Sequence, residues 1–158
     1  MEANIVQSTI RNITVGKNVT IVAPCNLYEC TFGDDCFVGP FVEIQSGVVI
    51  GNNSRIQSHT FICELVTIGD DCFIGHGVMF INDTFKDTNG PSRGDKSKWK
   101  KVTIGNHVSI GSNATILPVF ITDNVIIGAG AVVTKDILTS GIYAGNPARR
   151  IGDLAKNV

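Results

Sequence analysis

An aliphatic or aromatic residue recurs every six positions through most of the chain. From Phe32 the beat falls on Val38, Ile44, Ile50, Ile56, Ile62, Ile68, Ile74 and Phe80. It resumes at Ile104, Ile110 and Ile116, slips by one residue, and continues at Ile121, Ile127 and Val133. A period of six fits neither the 3.6-residue turn of an α-helix nor the two-residue alternation of one long strand. It fits an all-β chain wound as a parallel β-helix, in which each hexad supplies one short strand and one corner. Three hexads close a turn, so residues eighteen apart stack at about the 4.8 Å strand spacing. The columns Phe32/Ile50/Ile68, Val38/Ile56/Ile74 and Ile44/Ile62/Phe80 are predicted core ladders. The fifth position is small or β-branched, as at Val19, Cys36, Val42, Ser54, Val66, Cys72 and Val78, and should also face inward. The second position is often Gly, as at Gly33, Gly51, Gly69, Gly75 and Gly105, which a sharp corner with backbone angles forbidden to a β-carbon would explain. Two hexads, at 27–31 and 116–120, are one residue short. Because the beat recovers at once, they read as tightened corners within one domain spanning 1–158.

The length of 158 residues suits one domain with a contiguous core. A formal net charge of −1 gives no basis for bulk attraction to nucleic acid or an acidic membrane surface. No apolar run approaches the roughly 18 residues of a membrane span, and Met1-Glu2-Ala3-Asn4 lacks the basic and apolar regions of a signal peptide. The expected location is the cytoplasm. Five cysteines, at 25, 30, 36, 63 and 72, include no Cys-x-x-Cys pair, and three fall at fifth positions; they are expected to be small buried hydrophobes.

The repeat has one large interruption, at about 84–101, where function is expected to sit. It holds Lys86, Arg93, Lys96, Lys98, Lys100 and Lys101 against only Asp87 and Asp95, and it holds Trp99, the only tryptophan. Cations beside a planar aromatic suit a phosphate-bearing ligand with a ring to stack. A solvated loop whose tryptophan packs on the coil wall or on a neighbouring subunit is the other reading. Asn82, just before the loop, and Glu64, eighteen residues earlier, are both third in their hexads, so they should share one outer face below the loop. A carboxylate there can act as a base or orient an amine, and a carboxamide can donate to an oxyanion; a polar ladder facing water is the alternative. His59 and His76 should flank one corner, with His107 in a different column. That separation argues against a three-histidine metal site, and no metal is expected.

The string Ile127-Gly-Ala-Gly-Ala-Val-Val-Thr-Lys-Asp-Ile137, followed by Tyr143-Ala-Gly-Asn-Pro-Ala148, resembles the terminal coils of the hexapeptide-repeat acyltransferases. That resemblance covers nearly the whole chain. It implies a left-handed β-helix, an exception to the right-handed crossover usual for parallel strands. It also implies acetyl-CoA as donor, with no metal, and a homotrimer whose active sites lie between subunits. The segments Arg55-Ile-Gln-Ser-His-Thr-Phe-Ile-Cys-Glu64 and Phe73-Ile-Gly-His-Gly-Val-Met-Phe-Ile-Asn-Asp83 are similar to enzymes that acetylate the amine of nucleotide-linked amino sugars, especially 3-amino sugars on a thymidine or uridine diphosphate. They are similar too to the acyltransferase half of two-part enzymes that carry a sugar ketoisomerase, so a ketoisomerase partner is possible. In many such enzymes the segment matching Ser58-His59 reads Asn-Asn. The later-coil histidine that some members carry has no counterpart in Ser109–Ala114.

On that resemblance Asn82 lies near the thioester, and His59, His76 and Glu64 are the candidates for proton removal. Ser112, Ala129 and Gly130 are small enough for the pantetheine arm to approach the coil edge, while Lys135, Arg149 and Arg150 would meet the phosphates of CoA. Asp83, Arg93, Lys96 and Trp99 would hold the acceptor. The tail from about 149 to 158 is short. An O-acetyltransferase acting on a sugar or serine hydroxyl, and a non-catalytic β-helix scaffold, are the alternatives.

Overall fold

The computed structural model describes residue 3 and residues 7–155. Of the stretch inspected for a leader, only Ala3 is therefore described, and the last three residues of the predicted tail lie outside the described residues. Within them, strands of two to four residues stack into three sheets of seven, six and eight strands. Up to Val132–Val133 successive strands go to successive sheets, so the chain winds as a parallel β-helix of triangular section, of the expected left-handed class. In the two-residue strands from Thr31–Phe32 onward the first side chain faces out and the second in: along Arg55–Ile56 the arginine is exposed and the isoleucine buried. Every residue of the six-position beat from Phe32 to Val133 is at most 2% exposed. Each large aliphatic so buried contributes on the order of 1.5–3 kcal/mol. Val19, near the open first coil, is only partly covered.

The register follows the period. Phe32 pairs with Ile50 and Ile50 with Ile68; Val38 pairs with Ile56 and Ile56 with Ile74. Where a hexad is short the partners are seventeen apart, as in Thr14 with Thr31 and Thr103 with Phe120, so both short hexads are tightened corners. The loop is absorbed without loss of register, because Ile68 pairs with Ile104 across the insertion.

The second-position glycines serve a purpose other than the one expected. Gly33, Gly51, Gly69, Gly75 and Gly105 do not have left-handed backbones. A Cβ on Gly51 would instead stand 2.6 Å from the Gly69 carbonyl carbon of the next coil. Close approach between coils, not a special φ, requires them. The left-handed corner falls two positions later, at Gly47 (φ 75°), Asn53 (53°), Asp71 (54°), Asn113 (59°) and Asn124 (57°). Asn and Asp tolerate that conformation better than other side chains with a Cβ.

Three edges join the sheets. On the edge between the six- and eight-stranded sheets, third-position side chains form a ladder. Asp34, Asn52, Asp70, Asn106 and Asp123 each accept, at 2.6–2.8 Å, the backbone N–H of the equivalent corner one coil earlier. These bonds satisfy corner donors at the point where the sheet ladders are interrupted. At the C-terminal end Gly141–Ala144 pairs in parallel with Val125–Ile127 and antiparallel with Arg149–Gly152, so the last strand turns back on its sheet. All five cysteines are buried free thiols, as expected, and burial pushes Cys30 up to about 11 and Cys63 up to about 12. Among the described residues no helix is long and apolar enough to cross a membrane.

Candidate active site

The loop leaves the edge between the seven- and six-stranded sheets after Met79–Phe80 and rejoins it at Val102–Ile104. Its root is pinned by Asn82, whose carbonyl accepts from Lys100 N–H at 2.8 Å. The Asn82 carboxamide donates one N–H to the Glu64 carbonyl of the coil below at 3.1 Å, which leaves its second N–H for a ligand. Glu64 and Asn82 thus share one face under the loop. Asp83 holds the loop together: its carboxylate accepts from Phe85 N–H at 2.9 Å and from Ser92 N–H at 2.8 Å. Those two donors hold its carboxyl below the usual carboxylate range. Ser92 is buried, and its Oγ accepts the Trp99 indole N–H at 2.7 Å.

The loop cations are less available than composition implies. Lys96 Nζ bonds both oxygens of Glu64, at 2.7 and 2.8 Å, and sits 5.5 Å from the Trp99 ring centre. Lys100 pairs with Asp87 at 2.8 Å. Glu64 is consequently a latch for the loop, and Asp83 is a brace within it. Arg93 stays exposed, with a left-handed φ of 51°. Between the loop and the coil wall lies a cleft of about 310 Å³, in which Trp99, Phe85 and Phe61 stand beside Gln45 and Asn82. The tryptophan does pack toward the coil wall, and in doing so it lines a cavity.

His59 and His76 occupy the edge between the eight- and seven-stranded sheets. Ser58 Oγ lies 2.9 Å from His76 Nδ1. His59, at the left-handed corner position (φ 64°), packs its ring 5.0 Å from that of the exposed Phe41. The same edge continues upward: Asn113 N–H donates to the His76 carbonyl at 2.8 Å, and Gly130 N–H to the Ser112 carbonyl at 2.9 Å. His76, Ser112, Ala129 and Gly130 therefore form one strip. His107 lies on the third edge, 3.7 Å from Asp71.

Lys135, Arg149 and Arg150 gather elsewhere, around a cavity of about 330 Å³ at the C-terminal end that Tyr143 also lines. Arg149 donates to the Ala148 carbonyl at 3.0 Å, while Arg150 bonds the Asp153 carboxylate and, at 3.2 Å, the Ser140 carbonyl. The sequence-predicted residues thus fall into three groups. His76 and Asn82 stand at opposite ends of one hexad, a span of up to about 20 Å. Two contributors were given no role from the sequence: Ser58, which the eighteen-residue rule aligns with His76, and Ser92, which no periodic signal marks.

A family model for the bacterial transferase hexapeptide (six repeats) matches residues 29–64. One for the hexapeptide repeat of succinyl-transferase matches 65–79 and 101–135, and together they take in more than half of the chain. The chain belongs to the hexapeptide-repeat transferases. This hexapeptide-repeat protein is 26% identical over 157 residues to the bifunctional protein GlmU of Mycolicibacterium vanbaalenii, a match covering 91% of the chain and 30% of GlmU. It is 52% identical over 54 residues to the galactoside O-acetyltransferase of Escherichia coli, covering 34% of the chain and 27% of that relative. The chain spans about a third of the length of the curated relatives it matches. Among solved structures, an aspartate-to-alanine variant of AntD is similar over 90% of this chain and 84% of its own, with 27% identity and a TM-score of 0.74. AntD is an N-acyltransferase from Bacillus cereus, in complex there with dTDP and coenzyme A.

Proposed function

We propose that the protein transfers an acetyl group from acetyl-CoA to the amine of a nucleotide-diphosphate-linked amino sugar, a thymidine- or uridine-linked 3-amino sugar being the favoured acceptor. The cleft under the inserted loop carries this reading. A flat base fits between Trp99 and Phe61, with Gln45 and Asn82 at hand for its polar edge. Exposed Arg93 is available to a diphosphate. AntD, with dTDP and coenzyme A bound, supports both halves of the reading.

The donor arm runs along the strip of Ser112, Ala129 and Gly130; an added Cβ at Gly130 would meet nothing within 4 Å, so the edge there is open. His76 is the base, since Lys96 engages Glu64 and Phe41 covers a face of His59. The second N–H of the Asn82 carboxamide is the donor for the oxyanion. One chain keeps these groups on separate edges, which favours a homotrimer in which the histidine edge of one copy faces the loop edge of the next.

Thiol release from acetyl-CoA, followed across thymidine- and uridine-diphosphate amino sugars and simple sugar acceptors, tests the assignment. Turnover on one nucleotide-linked amine is expected. Trp99→Ala and Arg93→Ala should raise the acceptor KM and leave that for acetyl-CoA unchanged; a change confined to acetyl-CoA would remove the loop from acceptor binding. A second reading, O-acetylation of a sugar hydroxyl, is favoured by the 52% identical stretch shared with galactoside O-acetyltransferase. Turnover on galactosides with silence on amines would establish it.

A further inference from the structure

We propose that Ser58 is the positioning residue for His76, holding its imidazole in the tautomer whose Nε2 can accept a proton; this role rests on the transferase reading above. Ser58 and His76 are both third in their hexads and eighteen residues apart, so they project from consecutive coils of one edge. The coil stacking fixes both backbones: Gly77 N–H donates to the Ser58 carbonyl at 3.0 Å, and Asn113 N–H to the His76 carbonyl at 2.8 Å. Their side chains meet at 2.9 Å, Oγ to Nδ1. Nδ1 is thereby occupied along the edge, and Nε2 of this exposed ring is the nitrogen open to a ligand.

A neutral imidazole carries one proton, and the partner of one nitrogen decides what the other can do. For Nε2 to be the acceptor, Nδ1 must hold the proton and donate it to Ser58 Oγ. The hydroxyl can accept that bond while turning its own hydrogen to solvent. In the transfer step the acceptor nitrogen bonds the acyl carbon, the carbon–sulfur bond breaks, and coenzyme A departs as thiolate. The proton released from nitrogen passes to Nε2. The resulting imidazolium keeps its Nδ1–H···Oγ bond with no rearrangement, then returns the Nε2 proton to the thiolate. A preset donor–acceptor pair of this kind spares the reaction the cost of reorienting dipoles. The neighbouring His59 packs against Phe41 instead, so it is His76 that has an oriented ring.

The test uses Ser58→Ala and Ser58→Thr in the full chain, with histidine labelled by 15N. At about pH 8, above the ordinary imidazole range, the His76 ring shifts report the tautomer directly and without substrate. The parent and Ser58→Thr are expected to show mainly Nδ1–H, and Ser58→Ala to move toward Nε2–H. Amine acetylation should fall at least about tenfold in Ser58→Ala and be largely restored in Ser58→Thr, with the acetyl-CoA KM unchanged. Unaltered His76 shifts in Ser58→Ala overturn the proposal whatever the rates do. Shifts that move while kcat holds overturn it equally, because the tautomer would then be irrelevant to the reaction. No amine turnover by the parent protein sinks the acceptor assignment first, and the catalytic role of Ser58 with it.

Discussion

At Gly51 an added methyl group would meet the Gly69 carbonyl carbon at 2.6 Å, whereas at Gly47, with φ of 75°, it would meet nothing within 4 Å. Gly51→Ala should therefore destabilise the protein by about 1–3 kcal/mol or more, since neither coil can retreat without breaking its ladder. Gly47→Asn should cost less than about 1 kcal/mol, because Asn already occupies the equivalent corner at positions 53, 113 and 124. Urea midpoints of the two variants make the comparison. The buried thiols give a second expectation, in alkali. An unfolded chain releases its thiol protons near 9, while the fold retains those of Cys30 and Cys63 to about 11 and 12. The unfolded state then binds fewer protons, so stability should decline as pH rises through that window. Replacing both residues by Ala should flatten the decline measured by denaturant titration between pH 8 and about 11.

The inserted loop is an element with its own internal logic. Asp83, Asp87 and Asp95 are all held below the usual carboxylate range, by backbone N–H groups, by Lys100 and by Ser97 respectively. Their contribution to loop order is complete above the ordinary carboxylate value of about 4 and is lost as pH falls through the depressed values. Trp99 reports this without a label: its emission should stay constant from neutrality to about pH 4, then shift red as the Ser92 bond is released. Asp83→Ala should produce the same shift at neutral pH, and emission unaltered by that substitution would remove Asp83 as the brace. The coils were legible from the sequence because each inward residue obeys one spacing rule, and the same rule paired Glu64 with Asn82 and placed His59 beside His76. The loop obeys none. Its contacts join Asp83 to Ser92 and Lys96 to Glu64, at separations no period supplies, so a cation count shows the charges and not the partners they engage within the loop. The glycines misled for a related reason: a period shows where a residue recurs, and only packing shows what presses against it.

For the whole molecule, the histidine edge and the loop edge stand apart, so a reaction that used both would need two copies. If neighbouring copies each supply one edge, His76→Ala and Trp99→Ala chains should each be impaired alone. Co-refolded mixtures should regain part of the lost activity, because some interfaces then unite two intact edges. Failure to regain any would place the whole reaction within one chain. A site composed from two copies would lie beyond single-chain periodicity, which assigns residues to edges but not edges to one another. A stack of parallel strands presents the same open hydrogen-bonding rim at every coil, the geometry by which fibrils recruit further chains. By reversing direction at Arg149–Gly152, the chain offers the next molecule a rim of the wrong polarity on that sheet. On that sheet a further parallel coil could stack directly on its parallel predecessors only by displacing the returning strand.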